Sequence, residues 1–426
     1  ALWNGWANAA LALALLGSVG SETALGGWTA PLGIALRLDG LSWPFLALTA
    51  AVMALTGSGA AARRFLAAPG AAALWLLLLG GMNALFLSGD LFNLYVALEV
   101  VSLSAVALTA LGGRGAAAPA LRYLFVGLGG SLLYLAAVTL VYRAAGALDL
   151  RLVAAAGLEG AALAAPLALA TLGLLMKGGA APFHFWLPPA HAAAHPAASA
   201  ALSGVVVKAA LYLLLRLWTG APEAALAAAE PLFRVLGLLA LGVSVLGALR
   251  AERLKALIAY STVGQVGYIV LALGFAAGAP LALKAAVAFA IAHGLAKAAL
   301  FTAAGVIRTA NGHDRIDALT DPGPRCGPAK GAVALGAMTL MGLPPSCGFL
   351  AKWTLAEAAL ARGFWWMAPL LVGSAVLTSL KMVRLADGLI RARAPDDPPP
   401  ATGVSGGWSS LALAAAAVAM GFGGPA

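Results

Sequence analysis

The sequence is poor in charged residues and in cysteine. Only 10% of its 426 residues are Asp, Glu, Lys or Arg, whereas soluble domains carry about a quarter. Two cysteines, Cys326 and Cys347, are too few for a disulfide framework or a four-cysteine metal site. The chain begins at Ala1 rather than Met, and we expect that some N-terminal sequence precedes it.

Signatures of resident redox centres and nucleotides are missing as well. The sequence has no C-x-x-C pair, no dinucleotide-binding glycine fingerprint and no P-loop. His191 and His195 are four residues apart, but a third metal ligand does not accompany them. The net charge of +10 is scattered over short loops, which does not favour nucleic acid as a partner. We therefore expect no cofactor and no metal.

Hydrophobic residues make up 62% of the chain and occur in long continuous runs. Runs of this length predict an all-α integral membrane protein, because a barrel would show alternation instead. The sequence predicts thirteen transmembrane segments in a single domain over 1–426: 6–20, 38–57, 71–88, 91–111, 121–143, 162–195 (broken), 197–218, 231–249, 255–275, 281–307, 331–359 (broken), 366–391 and 408–424.

Alternate loops differ in their content of Lys and Arg. One side receives fourteen: Arg63, Arg64, Arg114, Arg122, Arg250, Arg253, Lys255, Arg308, Arg315, Arg325, Lys330, Arg384, Arg391 and Arg393. The other side receives six: Arg37, Arg143, Arg151, Arg234, Lys284 and Arg362. Cytoplasmic loops are the more basic ones, so the first side is predicted to face the cytoplasm across the inner (plasma) membrane.

Two of the predicted segments are interrupted by glycine and proline. The stretch "LLMKGGAAPFHFWLPP" breaks the sixth segment, and "TLMGLPPSCGFLAKW" breaks the eleventh. The second broken segment comes five positions after the first in the order of segments. The two broken helices therefore enter the membrane from opposite faces. Paired broken helices in inverted repeats indicate an ion path near the membrane midplane. We expect inverted five-helix repeats over 71–218 and 231–391.

Several ionisable residues fall inside the predicted segments. A charge at the bilayer centre costs at least ~2.5–3.5 kcal/mol, so such residues are expected to face one another or a wet cavity. Titratable side chains in this setting can hold and pass protons. The primary candidates are Glu99, Lys177, Lys208, His293, Lys297 and Lys352. Secondary candidates are His184, Lys381 and Glu357, with His184 expected to bond backbone freed at the first break. Arg216 near a helix end is expected to extend to the membrane surface.

Six motifs span most of the chain: "GGWTAPLGIALRLDGLS" (26–42), "GDLFNLYVALEV" (89–100), "KGGAAPFHFWLPPAHAAAHPAASAALSGVVVKAALY" (177–212), "LKALIAYSTVGQVGYI" (254–269), "HGLAKAALF" (293–301) and "GLPPSCGFLAKW" (342–353). In these motifs the sequence resembles the antiporter-like membrane subunits shared by respiratory complex I, membrane-bound hydrogenases and Mrp-type cation/proton antiporters. The wording of the first two motifs is most similar to the D-type member of the Mrp antiporters.

The resemblance implies a bundle of about fourteen helices, one more than this chain supplies. It implies that Glu99 and Lys177 form a pair whose separation changes the proton affinity of the lysine. It further implies that Lys208, the His293–Lys297 face and Lys352 continue the path. The chain departs from the family pattern at His195, where a proline or small residue is usual, and at Cys347.

These features predict a proton-translocating subunit of a multi-subunit Mrp-type Na⁺/H⁺ antiporter. The implied partners are other membrane subunits, the lipid bilayer and H⁺, with Na⁺ left open. The alternative is a proton-pumping subunit of a complex I-like NADH:quinone oxidoreductase or a hydrogenase, with redox chemistry elsewhere in the complex. Two further classes stay open: a subunit with its own redox cofactor, and a passive scaffold whose buried charges are dispensable.

Overall fold

The computed structural model describes residues 2–390 and 407–422. Its first half contains α1 (Leu2–Ala14), β1 (Glu22–Ala24), β2 (Ala35–Arg37), α2 (Ser42–Ser58), α3 (Ala60–Leu66), α4 (Ala71–Leu87), α5 (Leu91–Ala110), α6 (Ala117–Ala145), α7 (Leu150–Ala155), α8 (Gly160–Lys177), α9 (Leu187–Ala193), α10 (Pro196–Ala201) and α11 (Val207–Thr219). Its second half contains α12 (Glu223–Arg250), α13 (Leu254–Leu273), α14 (Pro280–Asn311), α15 (Gly327–Met341), α16 (Cys347–Ala361), α17 (Met367–Ile390) and α18 (Trp408–Ala419).

Helices dominate because the apolar runs bury their own backbone hydrogen bonds, as lipid requires. Among the described residues, eight helices are long and apolar enough to cross a membrane, or nine if α2 and α3, bent by 91°, form one span. The predicted count of thirteen is not confirmed, although each predicted segment contains helix. The helices of three predicted segments, the first, the third and the last, are too short to count as spans. The second broken segment divides into two helices of 15 residues.

The three most buried spans lie at the centre of the bundle. They are the α10–α11 unit (Pro196–Thr219), α13 and α14, whereas α6, α8, α12 and α17 pack around them with one face outward. A short antiparallel hairpin pairs Glu22 with Arg37 beside the loop before α5. The central helices are therefore the ones that can shelter charged side chains from lipid.

Both helix breaks are present where the glycine and proline clusters predict them. The first lies between Lys177, which ends α8, and Leu187, which begins α9, with a single 3₁₀ turn over Phe183–Trp186. The second lies between Met341 and Cys347. The repeat boundaries 71–218 and 231–391 stay a prediction.

Candidate functional site

Glu99 on α5 and Lys177 at the end of α8 form an ion pair across two helices. The Lys177 Nζ lies 2.8 Å from Glu99 Oε1 and 2.7 Å from the hydroxyl oxygen of Ser102, to which it donates. Ser131 on α6 donates a further hydrogen bond to Glu99. The lysine is buried while the Glu99 side chain is 18% exposed, so the pair lies at the edge of the core. A cavity of about 10 Å³, room for about one water, lies against Glu99.

The close crossing of α6 and α8 positions this pair. A Cβ atom on Gly173 would lie 2.3 Å from the Gly130 carbonyl oxygen, and one on Gly130 would lie 3.1 Å from Lys177 Cγ. Only glycine fits at both positions, as is common where membrane helices approach closely. The crossing brings Ser131 and Lys177 to the same carboxylate.

The chain turns away immediately after Lys177. Gly179 adopts φ +66°, a left-handed conformation that glycine tolerates best. The indole of Trp186 donates a 3.0 Å hydrogen bond to the Met176 carbonyl, which the interrupted helix leaves without its usual partner. His184 was expected to bond backbone freed at this break, and its ring lies within hydrogen-bonding reach of the Pro182 backbone. Its Nδ1 is buried and has no hydrogen-bond partner among the described residues.

Lys208 is fully buried beside a π-helical turn over Leu202–Val206. Its Nζ donates a 2.5 Å hydrogen bond to the Ser203 carbonyl oxygen, and the Ser203 hydroxyl lies 3.0 Å from that of Thr262 on α13. Single π turns inside α-helices are frequent at functional sites because they free backbone groups. Here the freed carbonyl meets the ammonium group.

His293 and Lys297 share one face of α14, and both are buried. Lys297 donates to the Ile258 carbonyl and lies 2.5 Å from the Ser261 hydroxyl on α13. Neither ring nitrogen of His293 has a hydrogen-bond partner in the described part of the chain. Lys297 follows His293 by one turn of α14. The imidazole ring also lies against Phe289, which packs on Tyr268, the ring beneath Lys352.

A second close crossing joins α14 to the π turn. A Cβ atom on Gly294 would lie 2.7 Å from the Gly204 carbonyl oxygen. Gly204 follows Ser203 and Gly294 follows His293 in the chain, so this contact fixes Lys208 and the His293–Lys297 face beside one another.

Lys352 lies on α16, one turn beyond the second break. Its Nζ is 2.7 Å from the Leu340 carbonyl oxygen and 3.2 Å from that of Met341, which end α15. It also lies 4.7 Å from the centroid of the Tyr268 ring, a cation–π geometry. A cavity of about 10 Å³ adjoins Lys352 and Tyr268.

Helix α13 connects these groups along one polar stripe. Lys255, Ile258, Ser261, Gln265 and Tyr268 recur every three or four residues and therefore share a face. The stripe passes from Lys255 past the carbonyl and hydroxyl that hold Lys297 to the ring beneath Lys352. Gln265 donates to the same Leu340 carbonyl, at a donor–acceptor distance of 3.5 Å.

Glu357, a secondary candidate, lies away from this stripe. Glu357 is exposed and accepts a 2.6 Å hydrogen bond from the indole of Trp353, one turn earlier on α16. Lys381 belongs to α17, and its side chain is outside the described residues.

Arg216 does not simply extend to the membrane surface. It pairs with Asp39, which precedes α2, and also donates a 2.6 Å bond to the Tyr212 hydroxyl. Burial opposes the charge on Asp39, but the hydrogen bonds and charge of Arg216 outweigh it and hold the pKa of that carboxyl at about 2. The side chain that was expected to extend to the surface forms an ion pair between segments distant in sequence.

Sequence reasoning missed two central residues. Lys255 was assigned to a basic loop, but it is 1% exposed and forms hydrogen bonds inside the protein. His191 was considered only as a metal ligand, but it lies on α9 and is fully buried. The helical spacing of Lys255 with Ser261 and Gln265 was the available signal for the first.

The sequence matches a known membrane family over most of its length. Residues 88–378 match the transmembrane family described as NADH:quinone oxidoreductase/Mrp antiporter. The chain belongs to this family. It is 34% identical over 371 residues to the N-type subunit of the NADH-quinone oxidoreductase of Desulforudis audaxviator, covering 85% of this chain and 74% of the relative. It is 29% identical over 377 residues to the D-type subunit of the Na⁺/H⁺ antiporter of Alkalihalophilus pseudofirmus, with the same coverage.

The fold agrees with the family. A chain of the Mrp complex from Dietzia sp. DQ12-45-1b superposes with a TM-score of 0.88 at 27% identity, over 99% of this chain and 88% of that one. This family member is therefore an all-α, multi-pass integral membrane protein, as the sequence predicts.

Proposed function

We propose that this chain is a proton-translocating subunit of a multi-subunit, Mrp-type Na⁺/H⁺ antiporter. The observation that carries the proposal is the Glu99–Lys177 ion pair, followed by three further lysines and a histidine held beside one another in the core. The similarity to D-type antiporter subunits and to a chain of a solved Mrp complex supports the assembly and the ion.

The pair is the control point of the path. A proton from the cytoplasmic side is held on Lys177, whose affinity depends on the distance to Glu99, because an opposite charge favours the protonated amine. Ser102 and Ser131 keep both groups hydrogen-bonded while they are together. The glycine-rich break beside Lys177 lets the lysine move relative to the carboxylate.

The path continues through groups that have neutral partners. Lys208 and Lys297 are linked through Ser203, Thr262 and the Ile258 carbonyl. His293 connects these lysines to Lys352, because an imidazole can accept a proton on one nitrogen and release it from the other. Bridging waters complete the transfers, and Lys352 releases the proton to the opposite side.

The second candidate is a proton pump driven by redox chemistry in partner subunits. The 34% identity to an N-type subunit favours it, since that relative carries the name of an NADH-quinone oxidoreductase. The residues of this chain would play the same parts in either complex. The source of the driving force distinguishes the two.

Ion flux in vesicles that contain the assembled complex tests the proposal. A Na⁺ step without redox substrate should move protons in the opposite direction, and the flux should disappear in Lys177→Ala at equal complex content. Proton movement that requires a reduced substrate and ignores Na⁺ would instead establish the redox-driven complex. Unchanged Na⁺-driven flux in Lys177→Ala would overturn the role of the pair.

A further inference from the structure

Two buried titratable side chains near the cytoplasmic face have no part in the proposed path. Lys255 is the second residue of α13 and is 1% exposed, although Glu252 and Arg253 just before it are exposed. His191 on α9 is 0% exposed. Neither position is explained by packing alone, because smaller apolar residues would fill the same space without desolvating a titratable group.

Lys255 connects α13 to the end of the first broken segment. Its Nζ lies 2.5 Å from the Ala194 carbonyl oxygen and 3.4 Å from that of Ala192. These carbonyls lie in and just after the last turn of α9, where backbone acceptors lack helical partners. Leu254, next to Lys255 in the chain, donates a 2.8 Å hydrogen bond to the Asp314 carbonyl in the loop after α14. The ammonium thus lies just beneath loops that the distribution of Lys and Arg predicts to be cytoplasmic.

His191 lies beside Lys255 and beside the part of α14 that carries Lys297. Its ring stacks on Phe301 with centroids 4.7 Å apart, and Phe301 follows Lys297 by one turn of α14. The Lys255 Nζ contacts the carbonyls of Ala192 and Ala194, just after His191 in the chain. Both ring nitrogens are buried and have no hydrogen-bond partner within residues 2–390 and 407–422. A buried imidazole with both nitrogens unpaired, placed next to lysines on two packed helices, has the arrangement of a proton relay.

We propose that Lys255 and His191 form an uptake path that delivers protons from the cytoplasmic face to Lys208 and Lys297, whose onward transfer the Glu99–Lys177 pair controls. The Lys255 ammonium gives one proton to a nitrogen of His191 and becomes a neutral amine. His191 releases a proton from its other nitrogen to the amine of Lys208 or Lys297. Lys255 then takes a proton from cytoplasmic water. One proton therefore moves from the cytoplasm to the central lysines in each cycle. This path rests on the proposed function and specifies how its central lysines are refilled.

The test compares two kinds of substitution in the assembled complex. Lys255→Arg keeps a cation that can donate to both carbonyls but does not give up its proton, whereas Lys255→Met removes the cation. His191→Gln keeps hydrogen-bonding capacity but cannot relay a proton. His195→Asn is the matched control, because it removes a neighbouring imidazole while asparagine retains an acceptor for the Ala197 N–H that His195 Nδ1 caps.

Initial transport rates are measured in vesicles at several cytoplasmic pH values, with complex yield as the assembly control. We expect Lys255→Arg, Lys255→Met and His191→Gln each to lose at least about tenfold in rate, most at alkaline cytoplasmic pH where protons are scarce. His195→Asn should keep the wild-type rate.

Three results overturn the uptake path. Wild-type transport in Lys255→Arg with loss in Lys255→Met would make Lys255 a structural cap of α9. Loss in only one of the Lys255→Arg and His191→Gln variants would exclude a relay, which needs both groups. Equal loss in His195→Asn would show that the loss comes from disturbing the connection between α9 and α10, not from an interrupted proton transfer. Lys177→Ala, measured alongside, tests the proposed function separately, since its activity does not depend on these outcomes.

Discussion

The two helix breaks each place a lysine beside a glycine-containing turn, but the lysines have different partners. Lys177 is held by a carboxylate, and two side-chain hydroxyl contacts complete the cluster. Lys352 is held by two backbone carbonyls that its own break frees, and by the face of Tyr268. The first site has a counter-charge that can move away, whereas among the described residues the second has neutral carbonyl oxygens and an aromatic ring as its partners. We infer that Lys177 at the first break controls proton transfer, and that Lys352 at the second break passes the proton on.

The largest effect is expected from removing the counter-charge. Glu99→Gln should lower transport at least about a hundredfold, because Lys177 then has only neutral partners, as Lys352 does. Complex yield should stay normal. Glu357→Gln, an exposed carboxylate, is the control and should remain within about twofold of wild type. Equal rates in Glu99→Gln and wild type would remove the distinction between the two breaks.

A smaller effect is expected at the second break. Tyr268→Leu removes the ring beneath Lys352 and should lower transport about thirtyfold, since a desolvated cation–π contact is worth about 2 kcal/mol. Tyr268→Phe keeps the ring face and should transport near the wild-type rate. If both variants lost activity equally, the hydroxyl contacts with Ser374 and Leu371 would be the important ones.

A third change acts on the geometry of the first break alone. Gly173→Ala should lower the melting temperature and reduce transport a few-fold, because its Cβ would meet the Gly130 carbonyl at 2.3 Å and separate α6 from α8. Such overpacking costs about 1–3 kcal/mol. Gly127→Ala on α6 is the control, since nothing lies within 4 Å of its added Cβ. Equal thermal stability in the two variants would contradict the close crossing.

The smallest effect on transport is expected at Glu230 on α12, on the side of the membrane opposite the predicted cytoplasmic face. Buried Glu230 pairs with Arg362 at 2.8 Å and with Arg234 at 3.3 Å, and it accepts from the Ala277 N–H. Glu230→Gln should destabilise the complex by about 1.5–3 kcal/mol, because Arg234 and Arg362 lose their charged acceptor and keep only the Gly274 and Ala277 carbonyls. The rate per assembled complex should change less than twofold. A transport loss without a stability loss would place this cluster in the path.

The sequence predicts which residues enter the site better than it predicts their partners. Continuous apolar runs mark the helices, and ionisable residues inside them are costly enough to be recognised, so Glu99, Lys177, Lys208, His293, Lys297 and Lys352 were found. Their partners are backbone carbonyls and hydroxyls on other helices. The Ser203 carbonyl becomes an acceptor through a π turn that no local pattern indicates.

The misplacements share one physical cause. In a chain this uniformly apolar, periodicity does not show which face of a helix is inward, so Lys255 at a helix start looks like a loop residue. Arg216 meets Asp39 across 177 positions of sequence, and such a contact arises only when the helices pack. The count of spans is hard to predict for a related reason, since short and broken helices carry weak length signals.

Transport by Lys177→Ala most directly tests the central claim that the ion pair at the first break controls proton movement. The measurement is the initial proton flux per assembled complex, in vesicles, beside wild type and under the same driving force. We predict flux at the level of empty vesicles with normal complex yield. Wild-type flux in the assembled Lys177→Ala complex would contradict the account.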